Sequence, residues 1–182
     1  MDRDGVISRQ TAFVNKPDDL TLIEGAAAAI ARLNEAGWPV GIITNQGGIA
    51  MGYLTEETLH KIHERLAQLL SAEGAHVDAI FYCAHHEHAK LPQYKTACQC
   101  RKPNTGMLEQ ARDKLGIDLA KSVVVGDRTT DILAGIRGGC STILVKTGSA
   151  GKDREIVAEP NAVAADIAAA VDLILTSTRS EA

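Results

Sequence analysis

Short runs that are apolar at nearly every position alternate with amphipathic stretches along this chain, and no other feature limits its fold so strongly. The runs at 39–44 (PVGIIT), 79–82, 122–125 and 142–145 read as strands. A strand without a polar side has both faces covered, as in a parallel sheet packed between helices. The stretches between them read as helices over 24–36, 55–73, 105–115, about 129–136 and about 163–175. In the longest, Thr55 is a candidate N-cap and Glu56 and Glu57 fall in the first turn. Leu59, Ile62, Leu66, Leu69 and Leu70 then form one stripe. Gly37 and Gly116 follow helices and close them. The expectation is one α/β domain over residues 1–182, without internal repeats.

Composition removes several function classes. At 45% hydrophobic and 23% charged, the chain is not of a disordered type. A net charge of −4 and only 3% aromatic residues argue against a nucleic-acid partner. No apolar run approaches the roughly 18 residues that span a bilayer. No charged-then-apolar leader opens the chain. The expectation is a cytoplasmic monomer with no membrane partner.

Ligands of open parallel sheets bind at the carboxyl ends of the strands. Polar residues stand there: Thr44-Asn45-Gln46 after one run, Gly126-Asp127 after another. At the start, Asp2 and Asp4 lie two apart before Gly5, so an extended chain that turns at the second can aim both carboxylates at one site. One of them can then attack while the other handles protons. The competing reading is a solvated terminus. Arg101 and Lys102, between Cys100 and Pro103, are either a solvated basic pair or fixed anion ligands. Asp127 reads as a hard oxygen ligand or as an N-cap. Asp131, one turn further, reads first as a helix-surface charge, with contact to Arg128 or to metal-bound water as the alternative.

Cys83, His85, Cys98 and Cys100 fall within eighteen residues, in a loop (83–103) without helical or strand period. Three thiolates and an imidazole make a closed tetrahedral Zn²⁺ set, although the spacing is not that of a standard zinc finger; free thiols are the alternative. His86 and His88 are the alternative nitrogens. Cys140 sits in an apolar stretch and reads as a small buried hydrophobe. His60, His63 and His76 have no evident partner, the first two being expected to face solvent. The charged residues from Lys152 to Glu159 read as a solvated loop.

Asp2/Asp4, Thr44-Asn45-Gln46, Arg101-Lys102-Pro103 and Gly126-Asp127, in that order, resemble the haloacid dehalogenase-like (HAD-like) phosphatase superfamily, over nearly the whole chain. Asp2-Arg3-Asp4-Gly5, Gly52 and Cys98-x-Cys100-Arg101-Lys102-Pro103 look like its branch of D-glycero-D-manno-heptose 1,7-bisphosphate 7-phosphatases and histidinol-phosphate phosphatases. The resemblance implies a three-layer Rossmann-like sheet without a large cap and a small phosphorylated sugar as substrate. It also implies Mg²⁺ held by Asp2, Asp127 and the Asp4 carbonyl. In it Asp2 is the nucleophile and Asp4 the general acid and base. Thr44, Asn45 and Gln46 serve the phosphoryl group, Lys102 joins Asp2 to phosphate, and Arg101 binds a second polar part of the substrate. The cysteine loop of that branch carries Zn²⁺ on residues matching Cys83, His85, Cys98 and Cys100. The heptose bisphosphate is the expected substrate; histidinol phosphate, or a zinc scaffold without activity, are the alternatives.

One departure stands out. In that superfamily a buried central strand precedes the nucleophile, whereas here only Met1 precedes Asp2. The expectation is a first strand truncated by a start placed too far downstream, or a truncated and poorly active product. Two strand edges would be bared and Asp2 left on a mobile terminus.

Overall fold

Successive side chains of a strand point to opposite faces of a sheet, and here the two faces carry different helices. The computed structural model describes residues 1–10, 14–153 and 156–178. Its elements are α1 (Ala26–Glu35), β1 (Gly41–Asn45), α2 (Gly47–Ala50), α3 (Glu56–Ala72), β2 (Ala79–Cys83) and α4 (Gly106–Leu115), then β3 (Val123–Gly126), α5 (Thr129–Arg137), β4 (Ser141–Val145), β5 (Ala162–Ala164) and α6 (Ile167–Thr178). Ile42, Val125, Ile143 and Val145 pack with α1, α3 and α6 in one core. Their neighbours Ile43 and Val124 pack with Met107 and Leu108 of α4, Ala134 of α5 and Cys140 in the other. The layers are therefore helix, sheet, helix, as expected, and Cys140 is buried.

All strand pairs are parallel: β1 with β2, and β3 with β4 with β5. Residues 1–3 join these two groups. The Met1 ammonium donates to Gly41 O (2.7 Å) and Ile43 N donates to Met1 O (3.0 Å). On the other side Asp2 N donates to Val125 O (2.9 Å). The order across the molecule is β2, β1, the segment 1–3, β3, β4, β5. This corrects the expectation of a mobile Asp2, which is 7% exposed and bonded to a strand on one side while its neighbour Met1 holds the other.

The segment 1–3 holds β1 and β3 about two ladder spacings apart, near 10 Å. Upstream of Met1 the walls continue as Pro39, Val40 and Gly41 on one side and Ser122, Val123 and Val124 on the other. They line a cavity of ≈ 800 Å³ together with Leu108 and Ala111 of α4 on one face and Ile174 of α6 on the other. Burial pushes the Met1 ammonium at its end down to about 6.

Three details differ from the sequence reading. Residues 162–164 form an edge strand on β4, so the last helix starts at Ile167, capped by Asp166 accepting from Ala169 N (2.9 Å). α2, too short to show a period, follows β1 directly. Asp153 is not a solvated charge: both its oxygens accept from Thr129 N (3.1 Å each), which caps α5. Residues 154 and 155 of that loop lie outside the described residues. Thr55 does cap α3, accepting from Thr58 N (3.1 Å).

The cavity generates a stability prediction. Each apolar side chain buried there contributes about 1.5–3 kcal/mol. Fusing a four-residue Val/Ile-rich segment ahead of Met1 is expected to raise Tm by more than about 5 °C over a Ser/Pro-rich segment of equal length. Equal melting temperatures would show that the slot does not accept a strand.

Candidate active site and metal centre

β1, β3 and the segment 1–3 end at one edge, and their polar ends line a cavity of ≈ 330 Å³ with Arg101, Lys102, Arg128 and Asp131. Asp2, Asp4, Thr44, Asn45, Gln46, Arg101 and Lys102 all line it. Asp127 stands at its base, with its carboxylate against those of Asp2 and Asp131.

Lys102 is the centre of the charge arrangement. It is 3% exposed, and its ammonium lies 3.0 Å from Asp2 Oδ1 and 2.7 Å from Asp131 Oδ1 while donating to Ile43 O (2.7 Å). Burial opposes its charge, but Asp131 and Asp2 more than offset this and raise its pKa. The reading of Asp131 as a surface charge is corrected. It is 1% exposed, and its Oδ2 accepts from Arg128 N (3.1 Å) at the start of α5. Sequence missed it because (i, i+4) spacing is shared by any solvated helix face.

Asp127 sits between two glycines that leave it room. A Cβ on Gly5 (φ +85°) would meet Asp127 Oδ2 at 2.5 Å, and one on Gly148 (φ +60°) would overlap the same atom. Both positions also have the left-handed backbone that glycine tolerates. Asp127 Oδ2 accepts from Ser149 N (2.6 Å), while its buried Oδ1 has no partner. Burial first, then the charges of Asp2 and Asp131, push its pKa up to about 7. Asp2 is raised too, chiefly by burial.

Asp2, Asp127 and Asp131 offer oxygens within 4.8 Å of one another. Three close carboxylates against one ammonium, with an orphaned buried oxygen, fit a hard divalent cation such as Mg²⁺. Asp131 is already engaged by Lys102 and Arg128, so Asp2 and Asp127 are the better direct ligands.

The remaining polar residues are wired differently from expectation. Both ends of the Asn45 amide are used on the Lys102 backbone: Nδ2 donates to Lys102 O (3.1 Å) and Oδ1 accepts from Lys102 N (3.0 Å). Asn45 thus places the lysine, and the second N–H of its amide is left over. Gln46 Nε2 donates to Thr44 Oγ1 (2.9 Å) and to Asp4 Oδ2 (3.1 Å), which leaves the Thr44 hydroxyl proton to donate. Arg101 donates to His85 O (3.1 Å) and borders the cavity beside His86.

The cysteine loop closes on itself. Cys83, Cys98 and Cys100 sulfurs lie 2.9–3.5 Å apart, and His85 Nδ1 lies 3.4 Å from Cys100 and 3.7 Å from Cys83. All four donors fall within 4.8 Å, and the cysteines are free. Three thiols and one imidazole at such range fit Zn²⁺ with no open position. His85 is the nitrogen; His86 Nδ1 instead accepts from His88 N (3.0 Å).

His63 corrects another expectation. Its Nε2 is buried and unpartnered, and burial, followed by the Arg3 charge, lowers its pKa to about 3. His60 is exposed but reaches Tyr82 Oη (3.2 Å), and exposed His76 lies 3.7 Å from Asp78. The unfolded chain takes up a proton at His63 below about 6.5, the folded chain only near 3. Folded stability therefore falls with pH through that window. His63→Leu should show a smaller drop in Tm between pH 7 and pH 5; an unchanged drop would remove His63 as the cause.

Comparison with known proteins adds four findings. The HAD-hydrolase-like family model matches residues 99–170. The chain is 40% identical to D-glycero-D-manno-heptose-1,7-bisphosphate 7-phosphatase of Thermosynechococcus vestitus, over 97% of this chain and 94% of that protein. It is 42% identical to D-glycero-beta-D-manno-heptose-1,7-bisphosphate 7-phosphatase of Vibrio cholerae, over 81% and 80%. The crystal structure of D,D-heptose 1,7-bisphosphate phosphatase from B. bronchiseptica, complexed with magnesium and phosphate, superposes with a TM-score of 0.86 at 36% identity, covering 97% and 96% of the two chains.

Proposed function

The chain belongs to the HAD-like family of D-glycero-D-manno-heptose-1,7-bisphosphate 7-phosphatases, and from that premise we propose that it hydrolyses the 7-phosphate of a heptose 1,7-bisphosphate. The observation that carries the reading is the buried Asp2–Lys102 pair at 3.0 Å beside the unpartnered Asp127 oxygen. A carboxylate nucleophile repels a phosphate dianion unless fixed and bound cations offset the charge. Asp2 and Asp127, with the Asp4 carbonyl, would hold Mg²⁺, which when bound supplies that neutralisation and polarises the phosphoryl group.

Asp2 bonds to phosphorus while the bond to the sugar oxygen breaks. The oxygen leaves with the electron pair and takes a proton from Asp4. Water then attacks the aspartyl-phosphate, giving its proton to Asp4 and releasing inorganic phosphate. Thr44 donates to a phosphoryl oxygen, and Lys102 keeps Asp2 ionised and oriented. Arg101, at the rim, meets the second anionic end of the substrate. Zn²⁺ on Cys83, His85, Cys98 and Cys100 would hold the loop that carries Arg101 and Lys102. The cytoplasm as location and a monomer as working state belong to the same proposal.

Asp2→Asn should abolish phosphate release from heptose bisphosphate at unchanged Tm, and EDTA should do the same reversibly. Turnover that survives either treatment would reject the mechanism. One zinc per chain by elemental analysis, with Cys83→Ser melting lower, is expected for the cysteine loop. A chain that folds normally without zinc would reject that assignment.

A further inference from the structure

The four candidate zinc donors are placed by different means. Cys83 ends β2, where it pairs with Asn45 of β1. The Cys98–Cys100 turn is tied to the approach to α4: Asn104 Nδ2 donates to Cys98 O (2.8 Å) and Gly106 N to Gln99 O (2.8 Å). His85 stands beyond the end of β2 and is placed by side chains. Arg101 Nη1 donates to its carbonyl (3.1 Å), and its ring lies 6.4 Å from that of Tyr94, tilted by 51°. The next residue ties the same two segments, His86 N donating to Tyr94 O (3.1 Å).

Tyr94 is itself held. Its hydroxyl donates to Glu56 Oε1 (2.7 Å), while Glu56 Oε2 accepts from Tyr82 Oη (2.6 Å). Short hydrogen bonds to an ionised carboxylate are stronger than neutral ones. Glu56 begins α3, which Leu59, Ile62, Leu66 and Leu70 fix in the core. Tyr82 directly precedes Cys83 and pairs with Thr44 of β1. One carboxylate therefore joins the residue before the first sulfur donor to the ring that flanks the imidazole. We infer that Glu56 is a positioning residue for the metal loop: through Tyr94 it keeps His85 within coordinating range of Cys83 and Cys100. The inference rests on the zinc reading and deepens it. Glu56 is not a ligand, because each of its oxygens accepts from a tyrosine and it lies outside the cluster of donors. Groups that orient a ligating histidine are worth about 10–100-fold in metal affinity.

Zinc affinity of the full chain, measured by competition with a chromophoric chelator, tests this. Glu56→Ala should bind zinc about 10–100-fold more weakly. Tyr94→Phe, which keeps the ring and loses the hydroxyl, should bind it about 10-fold more weakly. Glu56→Gln should recover most of the loss, because its amide can accept from one tyrosine and donate to the other. Glu57→Ala removes the neighbouring first-turn charge, an exposed partner of Lys61, and should leave the affinity as it is. In a His85→Ala background, Glu56→Ala should cost nothing further. The cobalt-substituted protein gives a second readout: the d–d absorption of Glu56→Ala should move toward that of His85→Ala. Unchanged affinity in Glu56→Ala, an equal loss in Glu57→Ala, or a full additional loss in the His85→Ala background would overturn the inference. Wild-type protein that takes up no zinc would remove the zinc reading itself, and the role of Glu56 with it.

Discussion

Four carboxylates converge on one end of the sheet, and among the described residues two buried cations accompany them. Asp2 and Asp131 flank Lys102 and Asp127 lies against both carboxylates, while Asp4 is taken by Arg3. At such range, carboxylates cannot all stay ionised unless more positive charge arrives. The displaced pKa values of Asp2 and Asp127, and the orphaned Asp127 oxygen, express that deficit. The same imbalance makes the pocket receptive to a divalent cation and, with it, a phosphate.

Much of the rest of the architecture serves to hold that cluster together. Gly5 and Gly148 let two loops close on Asp127. Asn45 fixes the Lys102 backbone with both ends of its amide. The cysteine loop anchors the segment on which Arg101 and Lys102 stand, and α5 begins at Thr129 with Asp131 in its first turn. These are positioning contacts. They spend side-chain hydrogen-bonding capacity on backbone and on each other, so that few groups remain to meet the substrate.

The sheet carries the complementary lesson. Residues 1–3 join β1 and β3 at the catalytic end through two backbone bonds to β1 and one to β3. At the opposite end the strands on either side of this segment line a cavity of ≈ 800 Å³.

The amino-acid order alone determined the layers and most of the ligands. Runs that are apolar at nearly every position must lie between helices, and polar residues that end them, such as Thr44 and Asp127, must meet at one edge, while Asp2, Asp4 and Lys102 joined that set through the resemblance to a known superfamily. The clustered Cys83, His85, Cys98 and Cys100 were legible for a similar reason, since soft donors close in sequence have few other uses. Tertiary structure alone decided which atoms each residue has to spare. Asn45 gained a second task on the Lys102 backbone, Asp131 moved from surface to core, and His63 from solvent to a buried nitrogen. Residues 162–164 became a strand only because β4 offered them an edge. Burial and hydrogen-bond saturation depend on neighbours far away in sequence, and no local pattern encodes them.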